Sequence, residues 1–267
     1  MMEYTGNLQK MRTEPGKPVN YYLSLGDKEI CMNDFLGKPI QLKYLGEINC
    51  IRCGRKTAKS FSQGYCYPCF ISSPETEECV LHPELCRAHE GIARDMDYAQ
   101  SHCLIDQFVY LADTGDIKVG VTRSTQLPTR WIDQGATQAM VLARTPNRFL
   151  AGQIEVALKQ YLPDKTNWRK MLQGLSKAEY SLAEVKSQVI EKLDSSFEPY
   201  LVWENELIEI DYPVLDYPQK VASLDLEKSP QIEGILTGIK GQYLMFDQRS
   251  VLNVRKFGGY RVMFEPI

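Results

Sequence analysis

The chain has 267 residues, 31 Lys and Arg against 34 Asp and Glu, a net charge of −3 and 43% hydrophobic residues. That is a soluble, globular composition with room for one large domain or two to three small ones, and its slight acidity argues against a protein that coats nucleic acid indiscriminately. No run approaches the ~20 apolar residues of a membrane span. The opening MMEYTGNLQKMRTEPGKP carries acids early and no apolar core, so it reads as neither secretory signal nor transit peptide, and the cytoplasm is the default compartment.

The first 45 residues contain the short runs NYYLSL, EICM and PIQLKYL, broken by Gly-Asp and Gly-Lys-Pro, which predicts a small β element over 1–45. A zinc-binding region with a linking helix follows over 46–105. Cys50, Cys53, Cys66 and Cys69 have the spacing C-x2-C-x12-C-x2-C, with Gly54 after the first pair and Gly64 before the second. Two cysteines so placed can face one ion from a single turn, and two such turns complete a closed, structural four-thiolate zinc site of zinc-ribbon type. Disulfides, disfavoured in a chain read as cytoplasmic, and simple buried thiols are the alternatives.

All three histidines of the protein, His82, His89 and His102, lie in the next 25 residues together with Cys79, Cys86 and Cys103. Cys79, His82, Cys86 and His89 have metal-ligand spacing and form the expected second zinc set, with Cys103 or His102 able to replace one of them. The competing reading is a packed helix over 83–91. Residues 92–105 read as a helix, with Met96, Ala99 and Cys103 at helical spacing.

From 106 to 175 the pattern is β, β, α, β, α. Strand-like runs at 108–112 and 117–122 flank an Asp-Thr-Gly-Asp turn, as in a hairpin. Arg130 and Trp131 follow a polar loop, 139–143 is a third strand, and Leu150, Ile154, Leu158 and Tyr161 mark one face of a helix. Over 176–199, Ser176 and Glu179 have the form of a capping box ahead of the stripe Leu182, Val185, Val189 and Leu193. The remainder, 200–267, returns to Gly-punctuated strands, with Gly238, Gly241, Gly258 and Gly259 read as hairpin-turn residues. The chain is therefore expected to be α+β: a zinc module, a central β-β-α-β-α domain and a β-rich C-terminal region.

The central pattern resembles the GIY-YIG nuclease superfamily. Phe108-Val109-Tyr110 stands where Gly-Ile-Tyr would, and Lys118-Val119-Gly120 stands where Tyr-Ile-Gly would, as in the Lys-Ile-Gly branch. Arg130 and Glu155 match the helix-borne Arg and the metal-binding Glu. The first Gly is missing and the Arg130 to Glu155 spacing is short. The resemblance implies a metal-dependent endonuclease acting on DNA or RNA. Tyr110 would be the base, with Lys118 or Arg130 as the nearby cation that favours its phenolate, Arg130 the phosphate clamp, and Glu155 the Mg²⁺ or Mn²⁺ ligand. Read singly, each has a plainer role: Glu155 as a solvated ion pair with Lys159, Tyr110 as a sheet residue, Arg130 as a helix cap.

Charge is segregated as well. Lys43, Arg52, Arg55, Lys56 and Lys59 surround the first cysteine cluster, a composition suited to a phosphate backbone. The expectations are thus a nucleic-acid partner and either an endonuclease or a non-catalytic zinc-containing nucleic-acid-binding or assembly protein with a degenerate nuclease fold. A protein-interaction scaffold with structural zinc is the blandest reading. The chain lacks a Walker loop, a dinucleotide glycine fingerprint after a strand and a serine elbow.

Overall fold

The computed structural model describes residues 3–175 and 180–267. In chain order the strands and helices are β1 (Tyr4–Asn7), β2 (Arg12–Glu14), β3 (Asn20–Leu25), β4 (Lys28–Cys31), β5 (Pro39–Ile48), α1 (Tyr67–Ser72), α2 (Met96–His102), β6 (Gln107–Asp113), β7 (Ile117–Arg123), α3 (Thr129–Asp133), β8 (Gln138–Thr145), α4 (Arg148–Lys159), α5 (Trp168–Leu172), α6 (Leu182–Ile190), β9 (Ile208–Glu209), β10 (Ala222–Ser223), β11 (Gln231–Lys240), β12 (Tyr243–Phe246), β13 (Ser250–Asn253) and β14 (Tyr260–Pro266). The fold is α+β. No helix among the described residues is long and apolar enough to cross a membrane.

The chain divides into two compact units: Met1–Ile71 with Asp211–Ile267, and Ser72–Ile210. In the first, β5 is the spine. It pairs with β14 on one side and with β11 on the other, so the two ends of the chain share one sheet of order β1-β14-β5-β11-β12-β13-β10, beside a separate sheet β2-β3-β4. The segments predicted at 1–45, at the first cysteine cluster and in the C-terminal tail are consequently one body. Alternation drives this: Ile40 and Leu42 of β5, Ile232 and Leu236 of β11, and Val262 and Phe264 of β14 are all buried.

The glycines of this unit act differently from the expectation. Gly241 and Gly259 adopt positive φ, whereas Gly238 and Gly258 do not. Gly238 instead makes room for Val214, where a Cβ would meet the valine at 3.0 Å, and at Gly258 a Cβ would stand 2.2 Å from the Gln63 carbonyl oxygen. The loop before the second cysteine pair therefore lies directly on the start of β14.

In the second unit the sheet order is β7-β6-β8-β9, all antiparallel. Helices α4 and α6 bury Ala151, Ile154, Leu158, Leu182, Val185 and Val189 against Val109, Leu111, Val119, Met140 and Leu142 of the strands. Tyr110, Ala112 and Ala139 instead pack with Trp131 of α3 and with Ala136. Asn147 caps α4 by accepting from the Leu150 N–H, and α6 starts on a capping box made by Ser181 and Glu184. The box expected at Ser176 and Glu179 falls on residues outside those described. The helix expected over 92–105 is confined to α2, because the Asp95 carboxylate caps it by accepting from the Tyr98 N–H. Instead of a helix over 83–91 there are two short 3-10 turns, Pro83–Leu85 and Ala88–Glu90.

The Pro83–Leu85 turn rests on α4 at Gly152, where a Cβ would stand 2.2 Å from the Glu84 nitrogen. Gly152→Ala sets two effects against each other. Helix propensity alone would add about 1 kcal/mol, while forcing a methyl into packed backbone typically costs about 1–3 kcal/mol, and a rigid main chain places this site at the upper end. The variant is expected to unfold at lower denaturant; a raised midpoint would mean that the turn is not seated on α4.

Candidate functional site

Tyr110 on β6 pairs in register with Gly120 on β7, and Ala112 pairs with Lys118. Directly opposed residues share a sheet face, so the phenol, Gly120 and the Lys118 side chain lie on one side. Gly120 is required sterically, because a Cβ there would stand 2.6 Å from the Tyr110 hydroxyl oxygen. This accounts for the glycine of the Lys-Val-Gly triplet. Gln134 donates from Nε2 to the same hydroxyl at 2.5 Å, and the Trp131 ring packs edge-on against the phenol.

Arg130 and Glu155 each stand within electrostatic reach of both Tyr110 and Lys118. Tyr110 is 0% exposed, Lys118 5% and Glu155 7%, so these are buried ionisable groups rather than surface charges. Glu155 does pair with Lys159, at 3.4 Å, and Lys159 also reaches Asp164 at 3.4 Å. The solvated ion pair expected for Glu155 is nevertheless replaced by one in which the carboxylate is buried and the lysine partly exposed.

Burial dominates the titration of the group. It pushes the Glu155 carboxyl up, against the opposing pull of Lys159. It likewise pushes the Tyr110 phenol up, with Arg130 and the Gln134 hydrogen bond only partly offsetting it. Lys118 moves the other way: burial first, then the neighbouring Arg130, bring it down to about 8. A phenol driven away from its anion is a poor base near neutral pH, which counts against the role expected of Tyr110. Lys118 is the group closest to losing a proton there.

Several buried polar atoms at this place find no hydrogen-bond partner among the described residues: Arg130 Nε, Gln134 Oε1 and Glu84 Oε2. Gln134 and Glu84 were not singled out from the sequence. Gln134 follows Arg130 by four residues, a spacing that puts both on one helical face, and so was findable. Glu84 reaches the neighbourhood of Glu155 and Lys159 only because Gly152 admits its turn, and the signal for that was a glycine inside a helical pattern.

Two cysteine clusters could hold zinc. The thiols of Cys50, Cys53, Cys66 and Cys69 all lie within 4.8 Å of one another, and Cys53 Sγ to Cys66 Sγ is 3.8 Å. Ligands ~2.3 Å from a tetrahedral zinc stand about 3.8 Å apart, so the set fits one closed ion. Local backbone builds it: Gly54 at φ 70° turns the first pair, its N–H bonding back to the Cys50 carbonyl, while the second pair enters α1. Burial opposes a thiolate at Cys50, but the backbone N–H groups of Cys66, Cys53 and Arg52 outweigh it and bring that thiol down to about 6.

In the second cluster the thiols of Cys79, Cys86 and Cys103, all buried, lie within 4.8 Å of one another. This corrects the ligand set Cys79, His82, Cys86 and His89. The His82 side chain is 54% exposed beside Glu84, and His89 is stacked on Phe149 at 4.5 Å. Tight 3-10 turns aim the two cysteines inward and leave the histidines elsewhere, while α2 delivers Cys103. His102 is held on Tyr98, ring to ring at 3.7 Å.

A family model described as "Protein of unknown function (DUF2797)" matches residues 37–262. No curated protein and no solved structure matches the chain.

A lysine titrating near 8 when folded and near 10.5 when unfolded is protonated at a cost in the folded chain below pH 8. That cost is relieved as pH rises through the 8–10.5 window, where the unfolded chain holds the proton that the folded one has shed. It amounts to about 3 kcal/mol. Lys118→Met is therefore expected to stabilise the protein at pH 7, with the gain shrinking toward pH 10. A gain that does not vary with pH, or a loss at pH 7, in denaturant titrations would contradict the assignment.

Proposed function

This chain belongs to the DUF2797 family, and we propose that its Ser72–Ile210 unit is a GIY-YIG-like phosphodiesterase domain acting on nucleic acid. The observation that carries this reading is the Arg130 Nε–H, buried without an acceptor among the described residues, beside Lys118 and the Tyr110 hydroxyl. Such a donor calls for an anion, and a phosphate oxygen suits a guanidinium flanked by a second cation and a phenol.

In this reading the residues divide the work by their charge states. Arg130 clamps the phosphate, and the Tyr110 O–H, kept protonated by burial, donates to the charge that develops on the phosphoryl oxygens. Neutral Lys118 takes the proton of the attacking water, a role open to it because its nitrogen titrates near 8. As water adds to phosphorus the scissile P–O bond breaks, its oxygen leaving as an alcohol with a proton from solvent. Gln134 holds the phenol in place. Glu155, with Glu84 near it, would hold Mg²⁺ or Mn²⁺. The raised Glu155 carboxyl and the unpartnered Glu84 oxygen are acids short of positive charge, which fits a cation held by one or two carboxylates. When bound, that ion neutralises charge on the phosphate. Zinc at the four-cysteine centre serves a structural purpose in the other unit. Exposed Lys43, Arg55, Lys56 and Lys59 around that centre supply a basic surface for the backbone of DNA or RNA.

A second reading has its own observation. Tyr110 has no exposed surface at all, which suits a domain that keeps the fold as a nucleic-acid-binding or assembly module without cleavage.

Incubation of the protein with single- and double-stranded DNA and RNA and Mg²⁺ or Mn²⁺ separates the two. The phosphodiesterase predicts cleavage whose rate climbs to half-maximum near pH 8. It also predicts a loss of 100-fold or more in Glu155→Ala and Lys118→Met. The binding module predicts no cleavage, with salt-dependent affinity that ignores Glu155→Ala and weakens on charge reversal at Arg55 and Lys56. Cleavage that survives both substitutions would remove the enzymatic reading.

A further inference from the structure

The second cysteine cluster differs from the first in number and in surroundings. Cys79 sits in the Glu78–Val80 turn, Cys86 closes the Pro83–Leu85 turn and Cys103 ends α2, so three separate segments deliver one thiol each. Their mutual separation, within 4.8 Å, matches ligands on a single ion at ~2.3 Å. It is too close for an iron–sulfur cube, in which each thiolate sits on its own iron.

Among the described residues no His, Asp or Glu brings a fourth ligand atom into this group. A cavity of about 240 Å³ opens there instead, lined by all three cysteines with Glu78, Ile92 and Arg94. At ~30 Å³ per water, it has room for a small organic molecule.

Charge is balanced from the other side. Three thiolates on a divalent ion leave one net negative charge. The Arg148 guanidinium donates to the carbonyls of Cys79 and His102 at 3.3 and 3.4 Å, and the Arg148 N–H donates to the Cys103 carbonyl at 2.8 Å. A cation is thus fixed at the backbone of the cluster by the first residue of α4.

We propose that Cys79, Cys86 and Cys103 form a three-thiolate zinc centre whose fourth position faces this cavity and takes an exogenous ligand, a water that a small thiol displaces. Closed four-ligand sites are structural, whereas three protein ligands and one open position are the arrangement of reactive zinc. Soft thiolate surroundings favour a further soft donor. The proposal is independent of whether the unit cleaves phosphodiesters.

Cobalt substitution reads it directly, because the visible spectrum of the ion reports its ligands. The Cys50→Ser/Cys53→Ser protein, which retains the second centre, is expected to bind one cobalt. Its spectrum should shift on titration with 2-mercaptoethanol and stay unchanged by His82→Ala or His89→Ala. Should that double variant fail to fold, the comparison runs between the full protein and Cys79→Ser/Cys103→Ser. The full protein should bind two ions with a thiol-sensitive spectrum, the variant one ion with an insensitive spectrum. A second centre that binds no metal, that ignores the thiol, or whose spectrum changes with either histidine would overturn the proposal.

Discussion

The second unit depends on keeping several ionisable side chains out of water beside one another. Isolated charge in a protein interior costs several kcal/mol, so Lys118, Arg130 and Glu155 can share that space only if the acid offsets two cations that repel one another. Glu155 is held by Lys159, Lys159 by Asp164, and Lys118 gives way by titrating near 8. The offset is incomplete, since the Arg130 Nε and the Glu84 Oε2 lack hydrogen-bond partners among the described residues. A fold that bears such groups without satisfying them resembles a binding site more than a core, because an apolar core of the same shape would be the more stable solution.

Steric constraints place these charges. Glycine at 120 leaves the space that the Tyr110 hydroxyl occupies, and glycine at 152 lets the Pro83–Leu85 turn touch the helix carrying Glu155. The segment bearing that turn has few apolar residues of its own and consists largely of 3-10 turns around Cys79, Cys86, Ala88, Ala99 and Cys103. A metal held by those cysteines would replace the missing core and fix Glu84 over α4. The same economy appears in the other unit, where Gly258 and Gly259 let β14 approach the loop carrying the four cysteines.

Periodicity and ligand spacing made much of this legible. The runs at NYYLSL and PIQLKYL became β3 and β5, the hairpin became β6 and β7, and the paired C-x2-C spacing became four converging thiols, because each is a local pattern. What escaped was set by contacts distant in sequence. The pairing of β14 with β5 unites the ends of the chain. Cys103 rather than a histidine joins Cys79 and Cys86 because turn geometry aims the side chains, and spacing carries no direction. Burial of Glu155 was invisible, since an acid four residues before a lysine reads as surface until a second segment covers it. Burial of Tyr110 and Lys118 themselves raises the phenol and lowers the amine, a change that a residue pattern cannot express.

The lowered titration of the Lys118 amine is the point most open to contradiction. Labelling the lysines with ¹⁵N and following the side-chain nitrogen of Lys118 by NMR, assigned by its absence in a Lys118→Met variant, reports its protonation without reference to substrate or metal. The expected midpoint is near pH 8. A lysine that titrates with the solvent-exposed ones, near the ordinary ~10.4, would contradict it.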